Sequence, residues 1–150
     1  MMCLKLDLLV DTVSSIDKEV NTDMEVSEVM SKHVICIRQD ESVSSAARLL
    51  RRHNLGSLPV CGADGRLRGM LTDRDIVLRC VALGSDPEET KVSEIMSRGI
   101  TFASPQDSTE KAAALMSGEQ VRRLPVVEDG RPVGMLALCD LVRSSRCQAE

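Results

Sequence analysis

The hydrophobic and polar positions follow the same order twice along the chain. Short apolar runs at 34–37 (VICI) and 100–103 (ITFA) are typical of buried β-strands. Each run is followed by a stretch with apolar residues at helical spacing, which predicts an amphipathic helix. The residues at that spacing are Val43, Ala46, Ala47 and Leu50 in the first copy, and Thr109, Ala112, Ala113 and Met116 in the second.

Two more apolar runs follow each helix, with a tight turn between them. SLPVC and LRGML flank the turn ADGR in the first copy, and RLPVV and PVGML flank EDGR in the second. An Asp-Gly turn between two such runs predicts a β-hairpin. A closing helix is then indicated by Ile76, Val77 and Cys80 in the first copy and by Leu141 and Val142 in the second.

Each half is therefore predicted to be a β-α-β-β-α unit whose first strand runs parallel to its second. The fold class is α/β (α+β). A unit of this size buries too little surface to be stable alone, so we expect the two to pack as a pseudo-two-fold pair.

The chain also repeats in detail. VSEVMS (26–31) returns as VSEIMS (92–97), and GMLTDRDIV (69–77) returns as GMLALCDLV (134–142). The turn within the hairpin is one residue longer in the first copy, where length changes are tolerated. GSDPEET has the composition of a linker. The predicted division is an N-terminal extension 1–23, repeat 1 at 24–83, linker 84–91, repeat 2 at 92–145 and a tail 146–150.

The N-terminal extension allows two interpretations. Its apolar residues fall near a helical stripe, which favours a short docking helix, and a disordered extension fits equally well. Lys5 and Asp7 interrupt the apolar part and no small-residue cleavage site follows, which argues against a signal peptide. No run of 18 apolar residues occurs, so we expect a soluble cytoplasmic protein without a membrane span.

Composition excludes several functions. Phe102 is the only aromatic residue and the net charge is −4, so neither a base-stacking surface nor a basic field favours nucleic-acid binding. His33 and His53 have no evident catalytic partner, and the pattern indicates a protein that is not an enzyme. The six cysteines contain no C-x-x-C pair, which argues against a metal site.

Cys36 and Cys61 raise a separate possibility. They lie on the first and second predicted strands of repeat 1, which should be parallel neighbours, so a reversible disulfide between them is geometrically reasonable. The alternative is that both are buried, inert thiols, as is usual in a reducing cytoplasm.

The motif Thr72-x-x-Asp75 also has two interpretations. It can form a capping box at the start of the closing helix. In the second copy, however, Ala137 replaces the threonine while Asp140 is kept, which suggests a further task for the carboxylate. At a helix N-terminus, a carboxylate can bind a ribose diol and a hydroxyl can donate to a phosphate. Such a site would bind a nucleotide without catalysing a reaction.

The order V-S-E-V-M, D-E-S-V-x-x-A-A-x-L-L, L-P-V-C and G-M-L-T-D-R-D-I-V resembles the CBS domain, and its recurrence resembles a tandem CBS pair (Bateman module) over residues 26–143. The stretch LPVCGADGRLRGMLTDRDIV is similar to stand-alone two-CBS proteins of the hypoxic response protein type. The resemblance implies a regulatory module that binds AMP, ADP, ATP, NAD or S-adenosylmethionine in clefts between the repeats, with no obligatory cofactor.

The resemblance also implies which residues bind. Thr72 and Asp75 would hold phosphate and ribose, and Asp140 carries over to the second copy, whereas Ala137 departs from the pattern and predicts a weaker or empty second site. The implied lining of the adenine pocket is Val34, Ile35 and Ser57 in one copy, and Ile100, Thr101 and Arg123 in the other.

Cys36 and Phe102 depart from the family pattern, and the doublet Arg122–Arg123 allows two interpretations. Phe102 stands where many family members have threonine, and its simplest role is in the core, although a ring there could border a purine. Arg122 and Arg123 form either a solvated pair or a counter-charge for phosphate.

The leading hypothesis is an adenosine-ligand sensor, which the family resemblance predicts to be a homodimer that signals to an unknown effector protein by conformational or oligomeric change. The alternative is a ligand-free stress-response interaction protein switched by thiol oxidation at Cys36 and Cys61.

Overall fold

The computed structural model describes residues 24–147, with side chains described as far as residue 144. The predicted N-terminal extension, residues 1–23, lies outside the described residues, as does the end of the predicted tail. Among the described helices, none is long and apolar enough to cross a membrane.

The chain divides into two compact units. The central unit is residues 35–100. The split unit is residues 24–34 together with 101–147. The central unit contains β1 (Ile37–Arg38), α2 (Val43–His53), β2 (Ser57–Cys61), β3 (Leu67–Thr72), α3 (Asp73–Ile76), a π-helical turn (Val77–Val81) and α4 (Val92–Ile95). The split unit contains α1 (Val26–Val29), α5 (Thr109–Glu119), β4 (Arg123–Glu128), β5 (Arg131–Ala137) and α6 (Leu138–Cys147).

The central unit has the predicted topology. β1 pairs in parallel with β2, with Ile37 opposite Val60, and β2 pairs antiparallel with β3. The helix α2 connects β1 and β2. The parallel pairing of the first and second strands is therefore confirmed in this unit.

The split unit has a smaller sheet. β4 and β5 form the predicted hairpin, but the strand predicted at 100–103 is reduced to a single parallel bridge between Ala103 and Val126. The chain turns directly afterwards, where the N–H of Asp107 donates to the carbonyl of Ser104 at 3.0 Å. Only one residue can therefore pair before the chain leaves the sheet.

The predicted helical faces are buried. Val43, Ala46 and Leu50 on α2 pack on a core with Leu58 and Leu71. In the split unit, the core contains the equivalent face of α5, together with strand residues from β4 and β5. The members from α5 are Ala112, Ala113 and Met116, and Thr109 is buried beside them.

Each V-S-E helix packs in the unit that does not contain the rest of its sequence repeat. Val26, near the start of repeat 1, is fully buried in the split unit, and its N–H donates to Asp107 O at 2.8 Å. Val92, which opens repeat 2, is fully buried in the central unit, and its N–H donates to Glu41 O at 2.9 Å. The packing units thus divide the chain at other places than the sequence repeats do. The predicted division into repeats at 24–83 and 92–145, and their packing as a pair, stays a prediction.

The predicted linker is attached to the central unit. The N–H of Val43 donates to Thr90 O, and the N–H of Ser44 donates to Pro87 O, both at 2.9 Å. Arg48 forms an ion pair with Glu88 at 2.7 Å. These linker carbonyls accept from the first amides of α2, which have no partner within the helix.

Two side chains predicted to be buried are not. Phe102 is 49% exposed, because its neighbour Ala103 faces inward through the bridge to Val126 and consecutive residues of an extended chain point to opposite sides. Val77 is 55% exposed although Cys80 is fully buried. Both lie in the π-helical turn, which departs from the α-helical spacing used in the sequence pattern.

Candidate functional site

Thr72 and Asp75 form a reciprocal pair at the start of α3. The N–H of Asp75 donates to Thr72 Oγ1, and the N–H of Thr72 donates to Asp75 Oδ2, each at 3.0 Å. This is the capping box that the sequence predicted. Asp75 is only 9% exposed, so the pair fixes a carboxylate in a largely buried position.

After forming the capping box, both side chains can still make further hydrogen bonds. Thr72 Oγ1 accepts one bond from Asp75, and its hydroxyl proton can still be donated. The Oδ2 atom of Asp75 is used by the Thr72 amide, whereas Oδ1 lies 3.6 Å from Arg79 Nη1. The site therefore presents one hydroxyl donor and one acceptor oxygen side by side.

Ser57 lies directly opposite Thr72 across β2 and β3. Residues paired in this way have side chains on the same face of the sheet. Ser57 Oγ is the one buried side-chain polar atom in the described part of the chain without a hydrogen-bond partner. An unpaired buried hydroxyl opposite Thr72 is a reason to consider a ligand here, because buried polar groups normally have a hydrogen-bond partner.

Arg79 is a site residue that the sequence interpretation missed. Its Nη1 atom lies 3.6 Å from Asp75 Oδ1 and donates to the carbonyl of Ile95 at 2.9 Å. The signal was available, since Asp75 and Arg79 are four residues apart, the spacing at which helical side chains meet.

The split unit repeats the geometry with different side chains. The N–H of Ala137 donates to Asp140 Oδ2 at 2.9 Å, so Asp140 keeps half of the capping box. Arg123 lies opposite Ala137, where the central unit has Ser57 opposite Thr72. The small hydroxyl pair of one unit is thus replaced by an arginine and an alanine. Arg122 and Arg123 are both exposed.

The remaining predicted lining residues are Val34, Ile35, Ile100 and Thr101, and all four are half-buried. Ile35 packs against the core of the central unit. The structure brings Ser57, Thr72 and Asp75 together in the central unit, and Arg123 and Asp140 flank Ala137 in the split unit. A ligand role for any of these residues stays a prediction.

Cys36 and Cys61 are both free cysteines, and each influences the pKa of the other. Burial, the neighbouring Cys61 and the hydrogen bond that the Cys36 thiol donates to it raise the pKa of Cys36 to about 12. Burial also raises the pKa of Cys61, against the hydrogen bond from Cys36, which lowers it. Both groups are therefore neutral thiols at physiological pH.

Between residues 24 and 144, no three His, Cys, Asp or Glu side chains lie close enough together to hold a metal ion.

Comparison with known proteins identifies the family. The CBS domain model matches residues 26–81 and 92–146. The chain is 38% identical over 116 residues to hypoxic response protein 1 of Mycobacterium tuberculosis, covering 77% of this chain and 81% of that protein. It is 43% identical over 116 residues to the CBS domain-containing protein YhcV of Bacillus subtilis, with the same coverage of both.

Solved structures agree. The crystal structure of hypoxic response protein I with two coordinated zinc ions has a TM-score of 0.75 and 37% identity, and the match covers 80% of this chain and 98% of that one. The CBS domain pair of protein MJ0100, in complex with 5′-methylthioadenosine and S-adenosyl-L-methionine, has a TM-score of 0.73 and 28% identity, with 83% and 98% covered. Two repeated units, two family matches and these relatives lead to one conclusion: the chain belongs to the CBS domain family as a tandem CBS pair.

Proposed function

We propose that this protein is a non-catalytic regulatory module that binds an adenosine-containing ligand at Thr72 and Asp75. The observation that carries the proposal is the buried Asp75 carboxylate, whose Oδ2 caps Thr72 while Oδ1, 3.6 Å from Arg79 Nη1, is not used by the cap. A carboxylate oxygen of this kind accepts hydrogen bonds from a ribose diol. CBS pair proteins are regulatory, which is consistent with a site that lacks a nucleophile or an acid–base pair.

The neighbouring side chains extend the proposed site. The hydroxyl of Thr72 would donate to a phosphate or carboxylate of the ligand, and the orphaned Ser57 Oγ would gain a partner from it. Ile35, which is half-buried at the edge of the central core, would contact the base. The adenosine derivatives bound by the MJ0100 pair support this ligand class.

The second site is proposed to be weaker. Ala137 removes the hydroxyl donor, and Asp140 alone remains beside Arg123. Ile100 and Thr101 are proposed to contact adenine in this second site, and Val34 in the first.

A thermal-shift screen of the full chain with AMP, ATP, NAD and S-adenosylmethionine tests the proposal. A ligand at 100 times its Kd stabilises the folded state by about 2.7 kcal/mol, and we expect at least one of the four compounds to raise Tm. Asp75→Ala should abolish the shift. Asp140→Ala is the matched control, because it removes an equivalent capping carboxylate from the other unit. Binding by none of the four compounds, or an undiminished shift in Asp75→Ala, would contradict the proposal.

A second candidate function is a thiol switch. Cys61 pairs with Arg38, two residues after Cys36, and the two thiols influence each other's pKa, which supports a disulfide between them. Oxidation by one hydrogen peroxide would remove one hydrogen from each thiol, form one S–S bond and reduce the peroxide to two water molecules. The bond would link the segment before β1 to β2 and would switch a ligand-free interaction protein.

Intact-mass measurement after mild peroxide treatment tests the switch. The expected product has lost two hydrogens, and the loss should disappear in Cys36→Ser and in Cys61→Ser while persisting in Cys139→Ser. Cys139, which is exposed, is the control cysteine. An unchanged mass in the wild type, or a loss that survives Cys36→Ser, would rule the switch out.

Self-association is the third part of the proposal. Val77, Leu78, Val81 and Leu83 are exposed to 55%, 47%, 60% and 73%, and they lie within seven consecutive positions of the central unit. A cluster of exposed apolar side chains favours a protein partner. Two structural neighbours are described as hexameric CBS-CP12 proteins, and we propose that a second copy of this chain covers the cluster in a homodimer.

Sedimentation velocity measures the assembly. The wild type should sediment as a dimer and Val81→Asp as a monomer, because a carboxylate would be desolvated in the interface. Val121→Asp, at an exposed apolar residue of the split unit, should remain dimeric. A monomeric wild type or a dimeric Val81→Asp would contradict the assignment.

A further inference from the structure

Arg79 connects three groups of the central unit. Its Nη1 atom donates to Ile95 O at 2.9 Å, lies 3.4 Å from Ser97 Oγ, and lies 3.6 Å from Asp75 Oδ1. The carbonyl of Ile95 is at the C-terminal end of α4, where a helix leaves carbonyls without a partner. Arg79 thus satisfies the end of one helix while facing the carboxylate that caps another.

The segment that Arg79 contacts is also held by the sheet. Ser97 N–H donates to Met70 O at 2.8 Å, and Met70 N–H donates to Ser97 O at 3.0 Å. Gly69 permits this close approach, because a Cβ there would collide with Ser97 O and would lie 3.2 Å from Met96 Sδ. Residues 95–97 are therefore held by two sets of interactions, the backbone bridge to Met70 and the hydrogen bonds of the Arg79 side chain. The next residues along the chain lead to the split unit at Thr101.

We propose that Arg79 is a positioning residue that couples Asp75 to the segment 95–97. The carboxylate of Asp75 attracts the guanidinium and holds it where it can donate to Ile95 O and Ser97 Oγ. A ligand hydroxyl on Asp75 Oδ1 competes with Arg79 for the same oxygen. This competition weakens the interaction of Arg79 with residues 95–97. The ligand step rests on the proposed function, whereas the coupling between Asp75 and residues 95–97 does not.

The split unit lacks this connection. Ser31 and Met135 form the equivalent backbone bridge, with N–H···O distances of 2.8 and 2.9 Å. At the position equivalent to Arg79 stands Ser144, whose hydroxyl donates to Leu141 O at 2.7 Å within its own helix. The same bridge thus exists with and without the arginine in one molecule, and the split unit serves as an internal control.

Hydrogen exchange at the amides of Met96 and Ser97 tests the coupling without a ligand. Asp75→Asn keeps an oxygen for the Thr72 amide and removes the charge, and Arg79→Met keeps the apolar stem and removes the guanidinium. Since Arg79 is 49% exposed, the ion pair is screened, and we expect each variant to speed exchange about two- to fivefold. The double variant should exchange no faster than the faster single variant, because both act through one contact.

Two controls distinguish coupling from general loosening. Exchange at Val60, in the core of the central unit, should be unchanged in all variants. Asp140→Asn should leave exchange at Ser31 unchanged, because Ser144 stands where the central unit has Arg79. If Arg79→Met speeds exchange and Asp75→Asn does not, Arg79 only caps α4 and the coupling is wrong. Unchanged exchange in both single variants, or additive effects in the double variant, would also overturn it.

A second experiment measures hydrogen exchange with AMP added to the wild type and to Arg79→Met. AMP should speed exchange at Ser97 in the wild type and have no effect there in Arg79→Met. If AMP does not bind, the ligand-free variants still decide the coupling and only the proposed function is affected. If AMP binds through Asp75 and exchange at Ser97 does not change, the competition step is wrong while the proposed function stands.

Discussion

Thr72 and Asp75 satisfy each other's backbone amides, with the Asp75 N–H on Thr72 Oγ1 and the Thr72 N–H on Asp75 Oδ2, both at 3.0 Å. A helix cap and a ligand site are often treated as competing explanations for such a pair. Here the cap uses one acceptor on each side chain and leaves the Thr72 hydroxyl proton and Asp75 Oδ1 for another partner. The structural role therefore orients the groups that the proposed binding role requires.

The capping box predicts a difference in stability between the two units. Thr72→Ala removes the acceptor for the Asp75 amide and should lower the free energy of unfolding by about 1 kcal/mol. Ala137→Thr supplies the missing acceptor at the start of α6 and should raise it by about 0.5 kcal/mol. Urea denaturation of both variants measures the effect, with Thr72→Ser as a variant that keeps the cap. Equal stability of Thr72→Ala and wild type would contradict the capping role.

Substitution by alanine is predicted to have opposite effects on stability at Gly69 and at Gly118. Gly69→Ala places a Cβ against Ser97 O and near Met96, and we expect a loss of about 1–3 kcal/mol from overpacking. Gly118, near the end of α5, has nothing within 4 Å of its Cβ position. Gly118→Ala should stabilise by about 0.5–1 kcal/mol through its higher helix propensity. Thermal unfolding of the two variants gives the sign, and a neutral Gly69→Ala would show that the β3 bridge to Ser97 is adaptable.

The packing of each V-S-E helix predicts which unit is destabilised when its buried valine is truncated. Val26 is fully buried in the split unit although it lies next to the central unit in sequence. Val26→Ala should cost about 2 kcal/mol and speed hydrogen exchange in α5 and β4. Val92→Ala should instead act on α2 and β2. The reverse assignment, with Val26→Ala loosening α2, would contradict the packing described here.

The thiol pair predicts a pH dependence. The pKa of Cys36 is raised to about 12 from an ordinary value of 9.0, chiefly by burial. The folded state thus favours the neutral thiol, and this contribution to stability is complete below pH 9 and is lost as pH rises towards 12. Unfolding free energy between pH 8 and 10.5 should fall more steeply for wild type than for Cys36→Ser, which does not titrate. Parallel curves would mean that Cys36 ionises freely in the folded state.

Periodicity predicted much of this fold because the repeated pattern reports burial directly. The faces of α2 and α5, the hairpins and the parallel first strand of the central unit all follow from apolar spacing. The capping box was also predictable, since it depends on residues three positions apart.

Features that depend on distant or irregular backbone could not be predicted in the same way. The apolar character of Phe102 predicts a place in the core, but a single bridge at Ala103 turns it outward. The partner of Val26, Asp107, lies about 80 residues away, a contact that the periodicity along the chain does not report. The Arg79 contact with Ile95 likewise joins elements that the linker separates.

Calorimetric titration of the best ligand from the thermal-shift screen into wild type, Asp75→Ala and Asp140→Ala tests the central claim most directly. The account predicts a principal site of one molecule per chain. Its affinity should fall roughly 10- to 100-fold in Asp75→Ala, because hydrogen bonds to a charged group are lost, and should be unchanged in Asp140→Ala. Wild-type affinity in Asp75→Ala, or loss of the principal site in Asp140→Ala, would contradict it.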